Sequence, residues 1–267
     1  MSPPEIAAIE VNKLVSHYGD REILHGIDMT VTQGEIMVIM GGSGSGKSTL
    51  LRHLIGLNQP SSGSIKLLGH DITRMSAQEM FALRRQMGVS FQGGALFNSM
   101  SVGENVAMPL REHTELDDNT IQIMARMKLE VVNLNGFEDL MPSELSGGML
   151  KRVALARAIA LDPRLLFFDE PSAGLDPVAS VELDELILNL QEAMGMSIVV
   201  VTHELESAFK IADRITVLDQ GHILMIGTVD EIRGSDHPRI VSFLNRQPRR
   251  EEVDADAYLQ RLTRELV

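Results

Sequence analysis

The chain of 267 residues contains no cysteine, which excludes disulfide bonds, thiolate metal ligands and cysteine nucleophiles and fits a reducing compartment. Long apolar runs are missing as well. Segments such as Ile36 to Met40 and Ile198 to Val201 are far shorter than the roughly 18 to 20 residues that cross a bilayer. The N-terminus has no basic stretch followed by an apolar run, so a secretory signal is not expected. We therefore expect a soluble chain that reaches a membrane only through a partner.

Basic side chains are in the minority, with 24 Lys and Arg against 37 Asp and Glu and a net charge of -13. Such a charge repels nucleic-acid backbones and anionic lipid surfaces over the molecule as a whole. We therefore expect no nucleic-acid partner. The length allows a substantial core and suits one large domain or a domain with an inserted subdomain.

Two kinds of apolar pattern divide the chain. Before residue 35 apolar and polar residues alternate, as at Ile27, Met29 and Val31, which predicts antiparallel strands. From residue 36 the apolar runs are short and continuous, and stretches of helical length separate them. This is typical of a parallel sheet buried on both faces, so we expect an α/β fold with an N-terminal antiparallel β subdomain. The predicted central strands are Ile36 to Met40, Leu165 to Phe168 and Ile198 to Val201.

Residues 93–160 are predicted to be mainly helical, because Asn119 to Leu134 and Lys151 to Leu161 are rich in good helix formers. We interpret them as a helical subdomain inserted into the α/β core. A turn at Asp219-Gln220-Gly221 between two apolar segments predicts a closing hairpin.

One domain is expected over residues 5–240, followed by a tail over residues 241–267. Apolar residues of the tail recur at helical spacing, which allows a short amphipathic helix that docks on a partner. A charge-rich terminus is more often frayed and solvated. The residues concerned are Tyr258, Leu259, Leu262 and Leu266.

A Gly-rich segment, GGSGSGKS, lies between the apolar run that ends at Met40 and the helix-like segment TLLRHLIGL. A G-x-x-x-x-G-K-[ST] phosphate loop requires this strand–loop–helix context, which a simple linker rarely provides. Its backbone N–H groups can surround phosphate oxygens at the positive end of the helix. Lys47 is expected to reach the β- and γ-phosphates of ATP or GTP, and the Ser48 hydroxyl to ligate Mg²⁺. The predicted nucleotide-binding residues here are Gly41, Gly42, Ser43, Gly44, Ser45, Gly46, Lys47, Ser48 and Thr49.

Two carboxylates follow the predicted strand at Leu165 to Phe168. Asp169 is placed to hold Mg²⁺, and Glu170 can polarise an attacking water as general base. An Asp-Glu-Pro strand end is also compatible with plain turn chemistry. Together with the phosphate loop, the catalytic interpretation is favoured.

A second potential anion site precedes the helix-like segment KRVALARAIAL, because Ser146 is a good helix N-cap and Gly147 and Gly148 allow close backbone approach. At this point the chain resembles the ATP-binding cassette (ABC) family, over about Ile9 to Ile226, and Leu145 to Gly148 looks like its signature sequence. The resemblance implies a P-loop NTPase with a RecA-like, mostly parallel core that hydrolyses ATP. It also implies a head-to-tail homodimer, in which the signature covers the γ-phosphate bound by the partner's phosphate loop.

Further positions follow the family order. Tyr18 resembles the aromatic residue that stacks on adenine, and Gln92 resembles the glutamine that senses Mg²⁺ and the attacking water. Ser172 to Asp176 resembles the loop across the dimer interface, and His203 matches the histidine that contacts the γ-phosphate. Outside this order, a tyrosine or histidine at a strand end is often structural. The implied catalytic residues are Glu170, His203 and Gln92, the implied magnesium ligands are Ser48, Gln92 and Asp169, and Asp176 joins the nucleotide site.

Three stretches are similar to the ATPases of MCE-type lipid transporters, the Mla-like phospholipid systems of Gram-negative envelopes: Leu145 to Met149, Asn105 to Leu116 and Ser235 to Leu244. Met149 stands where glutamine commonly follows the signature. The backbone-based anion site is expected to survive this departure, since both glycines are retained.

This resemblance implies a homodimer of the chain on the cytoplasmic face of the inner membrane, bound to a dimeric integral membrane permease. A periplasmic lipid-binding MCE protein and a small STAS-domain subunit on the ATPase would complete the complex. The apolar residues after Gln92 would receive the permease's coupling helix, although they can equally pack the helical insertion.

Two other functions stay open at this point. The cassette of an amino-acid or other small-solute importer would look similar, because other subunits choose the substrate. A soluble ABC ATPase, for example in cofactor assembly, is also compatible with the residues. A GTPase is disfavoured because the chain has no Asn-Lys-x-Asp motif.

Overall fold

The computed structural model describes residues 6–247. The strands are β1 (Ala7–Tyr18), β2 (Arg21–Thr32), β3 (Ile36–Met40), β4 (Ser62–Leu67), β5 (His70–Asp71), β6 (Met87–Ser90), β7 (Leu165–Asp169), β8 (Ser197–Val201), β9 (Arg214–Asp219) and β10 (His222–Gly227). The α-helices are α1 (Lys47–Leu54), α2 (Ala77–Arg84), α3 (Val102–His113), α4 (Asp118–Val131), α5 (Gly147–Ala158), α6 (Pro177–Met194), α7 (Leu205–Ile211), α8 (Val229–Arg233) and α9 (Pro238–Leu244). The chain up to Gly234 forms one compact unit, and α9 belongs to a second.

The N-terminal sheet has the strand order β2-β1-β4-β5, and all neighbouring strands are antiparallel. Ile9 on the central strand β1 pairs with Val31 on one side and Leu67 on the other. All three side chains are fully buried, because the alternation of the sequence directs them to one face of the sheet. The predicted antiparallel β subdomain is confirmed.

The second sheet has the order β10-β9-β3-β8-β7-β6. Its strands from β9 to β6 are parallel, and β10 adds an antiparallel edge through the predicted hairpin. Every residue of β3 and β8 is buried, as their continuous apolar sequence requires. The predicted mostly parallel sheet is therefore confirmed, whereas β6 was not recognised from the sequence.

Helix α1 packs into a core that both sheets share. Leu50, Leu51 and Leu54 are buried in one cluster with Ile9 of the N-terminal sheet and Phe167 of the central sheet. This apolar packing fixes the helix whose first turn follows the Gly-rich loop. No helix within residues 6–247 combines the length and apolarity needed to cross a membrane.

The helical insertion lies between β6 and β7 and contains α3, α4 and α5, with α3 packed against the other two. A capping box between Ser101 and Glu104 starts α3, so residues 93–101 form a loop rather than the helix that the mainly helical range suggested. The fully buried Asn105 fixes this loop by donating to three of its carbonyl groups.

The amphipathic tail segment predicted around Leu262 lies outside the described residues. The boundary between residues 240 and 241 stays a prediction.

Candidate active site

The central sheet brings four chemistry-bearing segments to one edge. Strands β3, β8, β7 and β6 are parallel neighbours in this order, so their carboxyl ends lie on the same side. Gly41 follows β3, His203 follows β8, Glu170 follows β7 and Gln92 follows β6. Ligands of α/β folds bind outside this edge. The fold thus gathers predicted site residues that are far apart in sequence.

Two glycines of the Gly-rich loop are required by their surroundings. A Cβ atom on Gly41 would lie 2.0 Å from the carbonyl oxygen of Leu218, and one on Gly46 would lie 2.8 Å from Cδ2 of Leu24. Gly46 has a φ of 106° and is the N-cap from which α1 begins at Lys47, with no side-chain cap. The first N–H groups of α1 are therefore available to an anion.

Lys47 folds back onto the loop, where its Nζ donates to the carbonyl oxygens of Gly41 at 2.8 Å and Gly42 at 3.0 Å. Burial lowers the pKa of Lys47, and the two carboxylates at the end of β7 act in the opposite direction. The buried hydroxyl of Ser45 has no hydrogen-bond partner among residues 6–247. A buried cation and an orphaned hydroxyl fit a bound phosphate chain.

The β9–β10 turn supports this loop, a role that the sequence did not predict. The N–H of Gly221 donates to the carbonyl oxygen of Ser45 at 2.9 Å, and the N–H of His25 donates to that of Gly221 at 2.9 Å. A Cβ atom on Gly221 would lie 2.1 Å from the carbonyl oxygen of Ile23. The Asp-Gln-Gly motif signals a turn, but nothing in it signals contact with a loop so distant in sequence.

Glu170 follows β7 with a φ of 50°, in the left-handed region that residues with side chains rarely adopt. Its N–H donates to the carbonyl oxygen of Val201 at 2.8 Å, which continues the strand pairing. Its Oε2 lies 2.9 Å from Nδ1 of His203 and 3.3 Å from Oγ1 of Thr202. A carboxylate fixed in this way is suited to orient and deprotonate a water molecule.

The neighbouring Asp169 is half-buried. Burial raises the pKa of Asp169, as does the charge of Glu170, while nearby cations oppose the change. Within the described part of the chain, no group of three or more His, Cys, Asp or Glu residues could hold a metal. Ser48 and Gln92 add an exposed hydroxyl and an exposed amide at the same edge. Mg²⁺ takes one or two carboxylates and completes its shell with water and phosphate oxygens, so this donor set fits Mg²⁺ that arrives with a nucleotide.

Tyr18 and Gln92 are among the predicted site residues that lie on the surface. Tyr18 ends β1 with 84% of its surface exposed, as expected of a residue that stacks on a base from the solvent side. The side chain of Gln92 is exposed, and its backbone carbonyl accepts a hydrogen bond from Lys151 on α5. The roles of both side chains stay predictions.

Ser146 is the N-cap of α5, where its Oγ accepts a hydrogen bond of 3.3 Å from the N–H of Met149. Ser146 and Gly147 are exposed, and a Cβ atom on Gly147 would meet nothing within 4 Å. The first turn of α5 carries no acidic residue. This helix start is therefore open to an anion from outside the chain.

The loop that leads to α6 ends at Asp176. The Asp176 carboxylate caps α6 by accepting hydrogen bonds of 3.0 Å from the N–H groups of Val178 and Ala179. Earlier in this loop, the buried hydroxyl of Ser172 lacks a hydrogen-bond partner within residues 6–247. The cap fixes the course of the loop, while its predicted place at a dimer interface stays a prediction.

Comparison with known proteins adds independent information. The model of the ABC transporter family matches residues 24–173. The intermembrane phospholipid transport system ATP-binding protein MlaF of Haemophilus influenzae is 44% identical over 257 residues, which cover 95% of this chain and 97% of that protein. The "Probable ribonucleotide transport ATP-binding protein mkl" of Mycobacterium tuberculosis is 42% identical over 242 residues, which cover 91% of this chain and 67% of that protein.

A solved dimer of an ATP-binding cassette in a post-hydrolysis state, bound to ADP and Pi, is 28% identical with a TM-score of 0.76; the match covers 83% of this chain and 98% of that chain. The range matched by the family model, residues 24–173, runs from within β2 through the Gly-rich loop and α5 to the carboxylates of Asp169 and Glu170 at the end of β7. The chain belongs to the ABC transporter family of ATP-binding proteins.

Proposed function

We propose that this protein is the ATP-hydrolysing subunit of an ABC transporter that moves phospholipids in the bacterial envelope. The observation that carries the proposal is the end-to-end match to the phospholipid-transport protein MlaF, over 95% of this chain and 97% of that protein. The match to mkl, whose name gives another cargo, covers only 67% of that protein. The chain hydrolyses ATP, and the transported molecule is assigned here as phospholipid.

ATP binds with its phosphates in the Gly-rich loop, where backbone N–H groups and Lys47 contact phosphate oxygens. Ser48, Gln92 and Asp169 would hold Mg²⁺, which would neutralise charge that develops on the transferred phosphoryl group. Tyr18 stacks on the adenine ring.

Hydrolysis needs an oriented water molecule. Glu170 orients the water and accepts its proton, and the hydrogen bond from His203 fixes the carboxylate beside the γ-phosphate. Gln92 contributes from the neighbouring strand end.

A second copy of the chain completes each site. The exposed start of α5 offers a second anion site in addition to the phosphate loop of the same chain. The solved relative is a dimer bound to ADP and Pi. In a head-to-tail dimer, Ser146, Gly147 and Gly148 of one copy cover the γ-phosphate bound by the other, and Asp176 lies at the interface. ATP binding then closes the dimer, and hydrolysis opens it.

The loop at residues 93–101 is the proposed binding surface for the permease. Arg157 donates to the carbonyl oxygens of Gly94 and Ala95, both at 2.8 Å, and Asn105 fixes the rest of the loop. Phe97 is left 45% exposed on this loop, which directly follows Gln92. A stiff loop with an exposed aromatic side chain can transmit dimer closure to a bound membrane helix.

The remaining partners follow from the phospholipid assignment. The ATPase dimer works with a dimeric membrane permease at the cytoplasmic face of the inner membrane. A periplasmic MCE-domain lipid-binding protein and a STAS-domain subunit complete the complex. Residues 5–240 act as the ATPase domain, and residues 241–267 dock on a partner.

The test is to purify the complex through a tag on this chain and to identify its subunits and bound molecules by mass spectrometry. We expect a permease, an MCE-domain protein and phospholipid. Recovery of a solute-binding protein without phospholipid would overturn the phospholipid assignment.

A further inference from the structure

Lys151 connects three parts of the candidate site through one ammonium group. It lies in the second turn of α5, the helix that begins with the signature residues. Its Nζ donates to the backbone carbonyl oxygen of Gln92 and, at 3.2 Å, to that of Glu170. The two acceptors follow β6 and β7, which are neighbours in the central sheet. A single side chain therefore joins the signature helix to two strand ends of the catalytic edge.

The environment of Lys151 is unusual for an ordinary surface lysine. Burial lowers the pKa of Lys151, and the negative charges of Asp169 and Glu170 act in the opposite direction. Partial burial of an ammonium group is unfavourable unless hydrogen bonds and charges compensate it. The two hydrogen bonds of Lys151 end on the carbonyl groups of Gln92 and Glu170 at the active site, so the compensation depends on where these two backbone segments lie.

The backbone of Glu170 needs external support. Its φ of 50° is costly for a residue with a side chain and persists only where the surroundings fix it. Val201 and His203 hold its N–H and its carboxylate from the side of β8. Lys151 holds its carbonyl group from the side of the helical insertion.

We propose that Lys151 is a positioning residue for ATP hydrolysis, which sets the orientation of Glu170 and Gln92 according to the position of the signature helix. The inference rests on the proposed role of Glu170 as the residue that orients water. Lys151 contacts neither ATP nor water in this scheme. Helix α5 begins with the signature residues that bind the partner copy's nucleotide in the proposed dimer. Lys151 links a movement of this helix to the position of Glu170, whose carboxylate orients the water.

The test compares full-length Lys151→Met, Lys151→Arg and the control Lys210→Met, measured as the complex with its membrane partner. Lys210 is a matched control because its Nζ also donates to a backbone carbonyl, that of Val181, away from the strand ends. We expect Lys151→Met to lower kcat by about 10- to 100-fold, as for a small misplacement of a catalytic group. KM and the Kd for a fluorescent ATP analogue should stay within about twofold, Lys151→Arg should recover most of kcat, and Lys210→Met should have no effect.

A double-mutant cycle with Glu170→Gln separates positioning from general stability. If Lys151 acts through Glu170, adding Lys151→Met to Glu170→Gln should lower the remaining activity no further. A further loss equal to that in the wild-type background would overturn the proposal, as would an unchanged kcat in Lys151→Met. If Lys151→Met does not fold, Lys151→Gln replaces it, with the same expected lowering of kcat at constant Kd. Undiminished turnover of Glu170→Gln alone would instead remove the proposed function of Glu170.

Discussion

His203 and Glu170 are joined by a hydrogen bond of 2.9 Å between Nδ1 of the imidazole and Oε2 of the carboxylate. The two residues follow different strands, β8 and β7, which are adjacent and parallel, so the sheet itself brings them together. A carboxylate accepts but does not donate, which requires the proton on Nδ1 and leaves Nε2 directed elsewhere. This arrangement fixes the orientation of the carboxylate through groups of the protein itself.

Replacing Glu170 by Gln tests whether this carboxylate is the base. The amide keeps the shape of the side chain but cannot accept a proton, so turnover should fall by about 10² to 10⁴. ATP binding should persist, and an ATP-bound dimer should accumulate on size-exclusion chromatography. Glu192→Gln, on the exposed face of α6, provides a control and should hydrolyse ATP normally. Undiminished turnover of Glu170→Gln would rule out Glu170 as the base.

Strands could be predicted from the sequence where the apolar pattern of their own residues showed that they are buried. The bounds of β3 were predicted correctly, and those of β8 to within one residue, because both strands are continuously apolar. Strand β6 contains Gly88 and Ser90, which weaken the apolar pattern. Gly88 is required by a distant helix, since a Cβ atom there would lie 2.3 Å from the carbonyl oxygen of Ala158. Such contacts between distant segments, like those of Gly221 and Lys151, leave no local signal.

Replacing Lys47 by Ala removes the cation that lies over the Gly-rich loop. A charge-assisted hydrogen bond contributes about 1.5 to 3 kcal/mol, so the Kd for ATP should rise at least about tenfold. A fluorescent ATP analogue measures the change directly. Lys66→Ala removes a lysine whose ion pair with Glu10 is exposed to solvent, and should leave the Kd unchanged. Normal ATP affinity of Lys47→Ala would contradict a phosphate-binding role for the loop.

Replacing Ser146 by Arg should block the signature half-site by filling the exposed start of α5. The chain's own phosphate loop is unaffected, so ATP binding should persist while hydrolysis is lost. Ser143→Arg adds the same side chain in the preceding 3₁₀ turn at Pro142–Glu144 and serves as the control. Hydrolysis at the wild-type rate by Ser146→Arg would contradict the proposed dimer.

The head-to-tail arrangement also predicts complementation between two impaired variants. In a mixed dimer of Lys47→Ala and Ser146→Arg, one site combines both substitutions. The other site combines an intact phosphate loop with an intact signature. Mixing the two variants should therefore give more ATPase activity than the average of the two unmixed variants. Absence of recovery, with mixed dimers shown to form, would be incompatible with sites shared between copies.

An ion pair between Glu35 and Arg214 lies at the start of β3, the strand that leads into the Gly-rich loop. Glu35, directly before β3, is 6% exposed. It accepts hydrogen bonds from Nε of Arg214 at 2.7 Å, from Nη2 of Arg214 at 3.0 Å and from the N–H of Thr32 at 2.6 Å. Burial on its own raises the pKa of Glu35, but these hydrogen bonds outweigh it and hold the pKa below its ordinary value of 4.5. The charged carboxylate therefore stabilises the folded state.

Replacing Glu35 by Gln should lower the free energy of unfolding near pH 7 by about 1 to 3 kcal/mol, the usual effect of losing hydrogen bonds to a charged group. Because the folded-state pKa is lowered, this stabilisation is complete above the ordinary value of 4.5 and is lost as the pH falls through the folded-state pKa. Denaturant unfolding of both proteins should therefore give a difference that is constant from neutral pH down to that value and shrinks below it. Glu10→Gln, which removes the solvent-exposed pair with Lys66, should change stability by less than about 1 kcal/mol. A difference between wild type and Glu35→Gln that grows as the pH falls would mean that burial, and not the bonds from Arg214 and Thr32, dominates the pKa of Glu35.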